Sequence, residues 1–265
     1  MYQDLSKPEF NNIFDVTLTY RHNADIVYRY GALINKTTKE IIKNNDFLKF
    51  QNLPINLTNY GVTELTKRPK DIAWVVSHCQ TPSLREEYVK QMKKQNNSLK
   101  IDIFGKCGSK YLSKDSGLEA SYGKLASVYK FYLSFENAKC YEYITEKFFL
   151  ALHSGMIPVA MGGLSKQDYE KIAPPHSFLH IDDFLNVQEL METLNKLSKN
   201  PDAYHSYFWW KEYYDVTIYK TEDPNNFINT RAKCQFCDLL HIPYFYASKN
   251  AFDYRNFKNY WNKCR

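Results

Sequence analysis

The sequence predicts an α/β fold built on a parallel sheet, and three observations carry that expectation. Strand-like and helix-like segments alternate from residue 72 to residue 200, the pattern of βα units whose crossovers are helices. The strand segments are short apolar runs, "IAWVVS" being an example. The 265 residues are 44% hydrophobic and 16% aromatic, enough for a substantial core in one large domain or two small ones.

In chain order, "FDVTLTY" (14–20) alternates apolar and polar residues as a half-buried strand does. "ADIVYRYG" follows and closes on a glycine turn, and residues 35–70 read as a polar connector with one short helical patch. "IAWVVS" (72–77) is a buried strand. "SLREEYVKQMKK" (83–94) is a helix with Ser83 as N-cap and Glu86 completing a capping box. "IDIFG" (101–105) is a strand and leads into a Gly-, Ser- and Lys-rich loop. "YKFYLSFEN" (129–137) is a strand, and the helix from about Thr145 to Ser154 ends at Gly155, a natural C′ residue. "MIPVAMG" (156–162), "SKQDYEKIA" and "SFLHI" (177–181) continue the alternation as strand, helix and strand. "VQELMETLNKLSKN" (187–200) is an amphipathic helix, "AYHSYFWWKEYY" an aromatic helical segment, and the tail carries "CQFC" and a final helix.

Composition narrows the function. The net charge of +6 arises from 35 basic and 29 acidic residues, mostly interleaved, which favours a solvated surface over a nucleic-acid groove. No apolar run is long enough to span a membrane, and the first residues lack a signal-peptide pattern. Six cysteines and the sequons at Asn35, Asn56 and Asn96 point to an oxidising lumen, with any anchor upstream of Met1.

In a parallel sheet, ligands gather where strands end and the following helices begin. Two βα units put polar chemistry there. "VVSHC" ends one strand, with Arg85 in the opening turn of the next helix; Glu136 and Asn137 end another, with Lys147 in the opening turn of its helix. A cation in a first turn opposes the macrodipole, and a phosphate or diphosphate would reconcile the two. The alternative is that both side chains point into water or pair with Glu86, Glu87 or Glu146. No P-loop or Gly-x-Gly-x-x-Gly is present. Glu146 would suit a ribose diol, a carboxylate accepting two hydroxyl hydrogens.

"YKFYLSFENAKCYEYITEKFFLALHSGMIPVAMGG" (129–163) resembles the donor-binding signature of the α1,3-fucosyltransferases, glycosyltransferase family 10. "FDVTLTYRHNADIVYRYG", "AWVVSHCQTPSLREEYVKQMKK", "IDIFGKCG" and "CQFCDLLH" are similar to further family blocks. The resemblance implies a GT-B-like architecture: a Rossmann-like donor lobe over 67–245, preceded by the end of an acceptor-side lobe and connector (1–66) and followed by a C-terminal helix or tail (246–265). It implies donor contacts at Tyr30, Val75, Ser77, His78, Arg85, Tyr132, Asn137, Tyr143, Glu146 and Lys147. Arg85 and Lys147 would hold the diphosphate of GDP-L-fucose and Glu146 the ribose. His78 stands where the family usually has Asn.

The implied reaction is inverting transfer of L-fucose to a hydroxyl of an N-acetylglucosamine-type residue on a glycan, by a type II membrane protein working in the Golgi lumen during protein glycosylation. The alternative is a catalytically incomplete GDP-sugar or glycan-binding module derived from that family. No metal site and no required cofactor are expected, since Asp182-Asp183 is not the Asp-x-Asp of metal-diphosphate enzymes; stimulation by Mn or Mg is compatible with this. The partners expected are the donor and a glycan acceptor, with no nucleic acid. The family's base lies in a Glu-Ser-Pro-like motif before "FDVTLTY"; Asp4 and Glu9 lack that context, so the general base is expected upstream of Met1. Cys79 and Cys107 follow neighbouring strands and suit a disulfide. Cys234 and Cys237 are read as disulfide cysteines before zinc ligands with His241 and Cys264, and Cys140 has no evident mate.

Overall fold

The structure, a computed structural model, describes residues 16–22, 24–42, 67–95, 98–113, 115–219 and 227–241. The "FDVTLTY" region forms a short parallel pair, β1 (Leu18–Thr19) with β2 (Ile26–Val27). The glycine expected to turn the chain instead opens β3 (Gly31–Asn35). Gly31 is needed for closeness and not for a turn, because a Cβ there would collide with the Phe149 ring. Most of the expected connector, residues 43–66, lies outside the described residues.

The main sheet contains β4 (Lys70–Val75), β5 (Ile101–Phe104), β6 (Tyr129–Phe135), β7 (Ile157–Met161) and β8 (Leu179–His180). All its pairings are parallel and the order is β5-β4-β6-β7-β8. The chain runs outward from β4 to β5, then returns across β4 to β6, so the topology reverses between β4 and β6. The carboxyl ends of those two strands flank the crevice where open α/β sheets bind ligands.

The crossovers are α1 (Arg85–Lys94), α2 (Leu118–Ala126), α3 (Glu146–Ser154) and α4 (Lys166–Tyr169), and α5 (Val187–Lys199) follows β8. Helix α2 falls within the expected loop; its "LEASYGKLA" carries two glycine-flanked turns of helix that composition alone hides. Strand side chains alternate between the two faces. Phe131, Leu133 and Phe135 of β6 pack with Val89 and Met92 of α1 and Leu190, Met191 and Leu194 of α5. Tyr132 points the other way, into a core with Tyr122 of α2 and Phe148 and Phe149 of α3.

The aromatic segment after Pro201 is only partly helical. It runs through α6 (Pro201–His205) and a 3-10 turn (Ser206–Glu212) into β9 (Tyr214–Ile218), which pairs antiparallel with β3. Leu33 and Ile42 share the core of α2 and α3, so the described residues before the expected 66/67 boundary pack onto the same body. "CQFC" lies on α7 (Phe227–His241), where Cys234 and Cys237 are exposed thiols outside any disulfide, contrary to expectation. Cys79 and Cys107 are bridged as expected. Cys140, left without a mate in the sequence, is itself disulfide-bonded. Among the described residues no helix is long and apolar enough to cross a membrane.

Candidate functional site

The negative group that justifies Lys147 is Glu136, the residue immediately after β6. Its carboxylate is fully buried and lies 3.1 Å from the Lys147 ammonium. It also accepts hydrogen bonds from the Thr145 N–H at 2.8 Å and the Thr145 hydroxyl at 2.9 Å. Lys147 in turn donates to the Thr145 hydroxyl at 2.6 Å and sits 3.6 Å from Glu146. Of the carboxylates considered from sequence, Glu146 lies beside Lys147 and Glu86 pairs with Arg85, as the alternative reading expected, while Glu87 pairs with Lys90. Glu136 escaped because its distance from Lys147 along the chain, 11 residues, fits no helix spacing; a buried acid at the end of an apolar strand was the available signal.

Burial pushes the Glu136 carboxyl above its ordinary value, and Lys147 and Thr145 offset only part of this. Burial alone would depress the Lys147 ammonium, but Glu136 and Glu146 outweigh it and the group ends above its ordinary value. The pair is therefore a lysine held firmly charged beside a carboxylate under strain from desolvation.

Thr145, the residue before α3, turns its hydroxyl inward to Glu136 and makes no side-chain cap. Helix α1 is likewise uncapped, beginning after Leu84 in a left-handed conformation with φ of 57°. The expected Ser83 cap is not formed, because the Ser83 hydroxyl donates to the Glu136 carbonyl at 2.7 Å; Thr81 takes Glu86 instead, at 3.0 Å. Helices α4, α5 and α6 are capped by Ser165, Asn186 and Asn200, whereas α2, after Gly117, has no side-chain cap either. The two helices beside the topological reversal thus start with N–H groups that no capping side chain takes up, where an anion is favoured.

Arg85 and Lys147 meet around one strand end. Arg85 donates to the Phe135 carbonyl at 2.8 Å and the His78 carbonyl at 3.2 Å, and pairs with Glu86 at 3.2 Å. Its charge is felt by Lys147. Yet only 3% of the Arg85 side chain is exposed, so in this structure it clamps the loop after β4 to the end of β6 and does not present an open fork. Ser77 and His78 lie exposed on that loop, which the Cys79–Cys107 disulfide ties to the loop after β5. Val75 ends β4, half-buried. The Asn137 side-chain oxygen is buried beside them without a hydrogen bond.

Tyr30 and Tyr143 complete the wall, ring to ring at 6.1 Å. Burial raises the Tyr30 hydroxyl, and Glu146 and Glu136 add to the shift, which places it with the Lys147 group. Glu146 is partly exposed at the start of α3. Tyr132 is different: it is wholly buried and its hydroxyl bonds Tyr122 at 2.6 Å, so it braces the site from beneath. Among the described residues no set of three His, Cys, Asp or Glu side chains converges as a metal site.

This is an α/β protein with a Lys147–Glu136 pair and a clamped Arg85 gathered at the topological reversal of its sheet. Residues 65–253 match the family model "Glycosyltransferase family 10 (fucosyltransferase) C-term". The chain is 34% identical over 254 residues to "Alpha-(1,3)-fucosyltransferase C" of Drosophila melanogaster, covering 95% of this chain and 55% of that protein. It is 32% identical over 212 residues to "4-galactosyl-N-acetylglucosaminide 3-alpha-L-fucosyltransferase 9" of Mus musculus, covering 80% and 51%. A solved structure of an alpha1,3-fucosyltransferase with GDP-fucose overlays with a TM-score of 0.48 at 23% identity, over 67% of this chain and 48% of that one. The chain belongs to glycosyltransferase family 10. It spans about half the length of the curated relatives it matches.

Proposed function

We propose that this chain carries the donor-binding lobe of an inverting α1,3-fucosyltransferase and binds GDP-L-fucose in the crevice between β4 and β6. The observation that carries the reading is the Lys147–Glu136 pair at the uncapped start of α3. A lysine kept charged by a buried carboxylate is a fixed positive group, and the helix N–H groups beside it add partial positive charge. Together they stabilise the negative charge that builds on GDP as the bond to the fucose anomeric carbon breaks. Arg85 contributes charge from behind the loop it clamps. Glu146, partly exposed next to Lys147, accepts the ribose hydroxyls, and the Asn137 oxygen accepts a donor hydroxyl. The acceptor hydroxyl attacks from the face opposite the nucleotide and loses its proton to a general base. The Cys79–Cys107 bridge suits an oxidising compartment such as the Golgi lumen.

The test is calorimetric titration of GDP and GDP-fucose against the chain and a Glu136→Gln/Lys147→Ala variant, which removes the ammonium without stranding a buried charge. Losing a charged contact to phosphate should weaken binding at least about tenfold. Equal affinities in the two proteins would refute the assignment.

A further inference from the structure

At the opposite edge of the sheet two further cations converge, and no acid answers them. Arg68 lies just before β4, and Lys211 lies in the 3-10 turn before β9. Both reach the carboxyl end of α3. The point where a Cβ on Gly155 would stand is 3.0 Å from the Lys211 ammonium and 3.7 Å from the Arg68 Nη2. Gly155 closes α3 and leads towards β7, so this place is at the far end of the helix whose first turn carries Lys147.

The charges there are uncompensated. Arg68 is buried, and its Nη1 is taken up by neutral oxygens: the Gly155 carbonyl at 2.7 Å, the Tyr129 carbonyl at 3.2 Å and the Tyr204 hydroxyl at 3.2 Å. Lys211 rests over the rings of Phe208, at 5.8 Å, and Trp210, at 5.7 Å. Among the described residues neither cation has a carboxylate partner, and the Arg68 Nη2 donates to nothing. Lys36 adds a third positive group, donating to the Lys211 carbonyl at 2.6 Å, but it has Asp215 at 3.6 Å. Aromatic faces and the end of a helix supply only partial negative charge. A guanidinium keeps its proton, so the strain falls on Lys211: burial, then Arg68 and Lys36, lower its ammonium to about 8. Folded proteins seldom leave desolvated charges without an opposite partner.

We propose that Arg68 and Lys211 form a binding site for a tetrahedral oxyanion, phosphate or sulfate, at the amino ends of β6 and β7. Two unbalanced cations reaching one point are matched by a dianion. Oxygens at different corners of a single ion accept from the free Arg68 Nη2 and from the Lys211 ammonium together. Lys211 and Lys36 are half-buried, so a small ion reaches the place from solvent on their side. The site is separate from the nucleotide crevice, which lies at the carboxyl ends of β4 and β6. An anion there also restores the proton of Lys211, so that binding near pH 8 is coupled to proton uptake.

The experiment titrates sulfate and phosphate calorimetrically into the chain, with chloride at equal ionic strength as the control. Titrations into the parent saturated with GDP and into the Glu136→Gln/Lys147→Ala variant keep anions held by the crevice out of the count. Both proteins should bind an oxyanion in preference to chloride, and the tighter of the two identifies the ion. Adding Lys211→Met, which keeps the length of the side chain and removes the charge, should weaken that binding at least about tenfold. Its melting temperature in chloride at pH 7 should not fall, because the charge removed is an unpaired one. Sulfate binding by the parent at pH 8 should take up a proton, read from how the heat varies with buffer ionisation enthalpy, and Lys211→Met should take up none. The proposal is overturned by absence of binding at millimolar oxyanion, by equal affinity with and without Lys211, or by binding to the parent without proton uptake.

Discussion

Replacing Lys147 with alanine should destabilise the chain in a way that depends on pH. At 3.1 Å the Lys147–Glu136 attraction is about 5 kcal/mol at an effective dielectric constant of about 20. The variant does not lose all of this, because Glu136 can escape by taking a proton. Keeping the carboxyl neutral at pH 7, two and a half pH units above its ordinary 4.5, costs about 3.4 kcal/mol. That figure is a ceiling on the part of the loss that comes from the unpaired Glu136 charge, and at pH 5 that ceiling falls to about 0.7 kcal/mol; the lost Lys147–Thr145 hydrogen bond adds a part that does not vary with pH. The sign follows from the direction of the shift. A carboxyl whose folded pKa is raised contributes stability fully present below 4.5 and lost as pH rises through the folded value. Removing Lys147 raises that value further, so the deficit against the parent grows from pH 5 to pH 7. Urea unfolding at the two pH values reads it directly, and adding Glu136→Gln should recover most of the pH 7 loss. A Lys147→Ala deficit equal at pH 5 and pH 7 would mean that Glu136 is not a buried carboxylate relying on Lys147.

Other expectations concern the scaffold. Replacing Cys79 and Cys107 by serine opens a loop of sequence separation 28 and should cost about 3 kcal/mol, seen as a lower melting temperature. Gly31→Ala drives a methyl group into the Phe149 ring and should cost about 1–3 kcal/mol in chemical unfolding; a neutral result would mean that β3 shifts easily. Lys211, desolvated and facing Arg68 and Lys36, has its ammonium lowered to about 8. A depressed lysine adds stability above its ordinary 10.5 that is lost as pH falls through about 8. The parent should therefore gain stability relative to Lys211→Met as pH is raised from 8 to 10, measured by thermal unfolding.

The local patterns needed no partner to be read. Apolar runs marked β4, β6 and β7 to within a residue or two, and Gly155 ended α3 with the left-handed φ of 80° expected of a C′ glycine. Periodicity and backbone conformation are short-range, so these features are written in neighbouring residues. Elements that depend on distant pairing were not legible. Strand β3 is defined by its register with β9, nearly two hundred residues later, and Gly31 by an encounter with a ring on α3. Helix α2 was masked by glycines and lysines that read as loop.

For the site, the sequence by itself determined that cations open two helices after two strands, and that these positions match a fucosyltransferase signature. Only the tertiary structure decided how those charges are balanced. It brought a fully buried Glu136 to Lys147, turned the Thr145 hydroxyl inward, made a brace of Ser83 where a cap was expected, and closed Arg85 onto two carbonyls. The physical reason is that burial, which sets the strength of each charge, belongs to the packed sheet and helices and to no single stretch of chain.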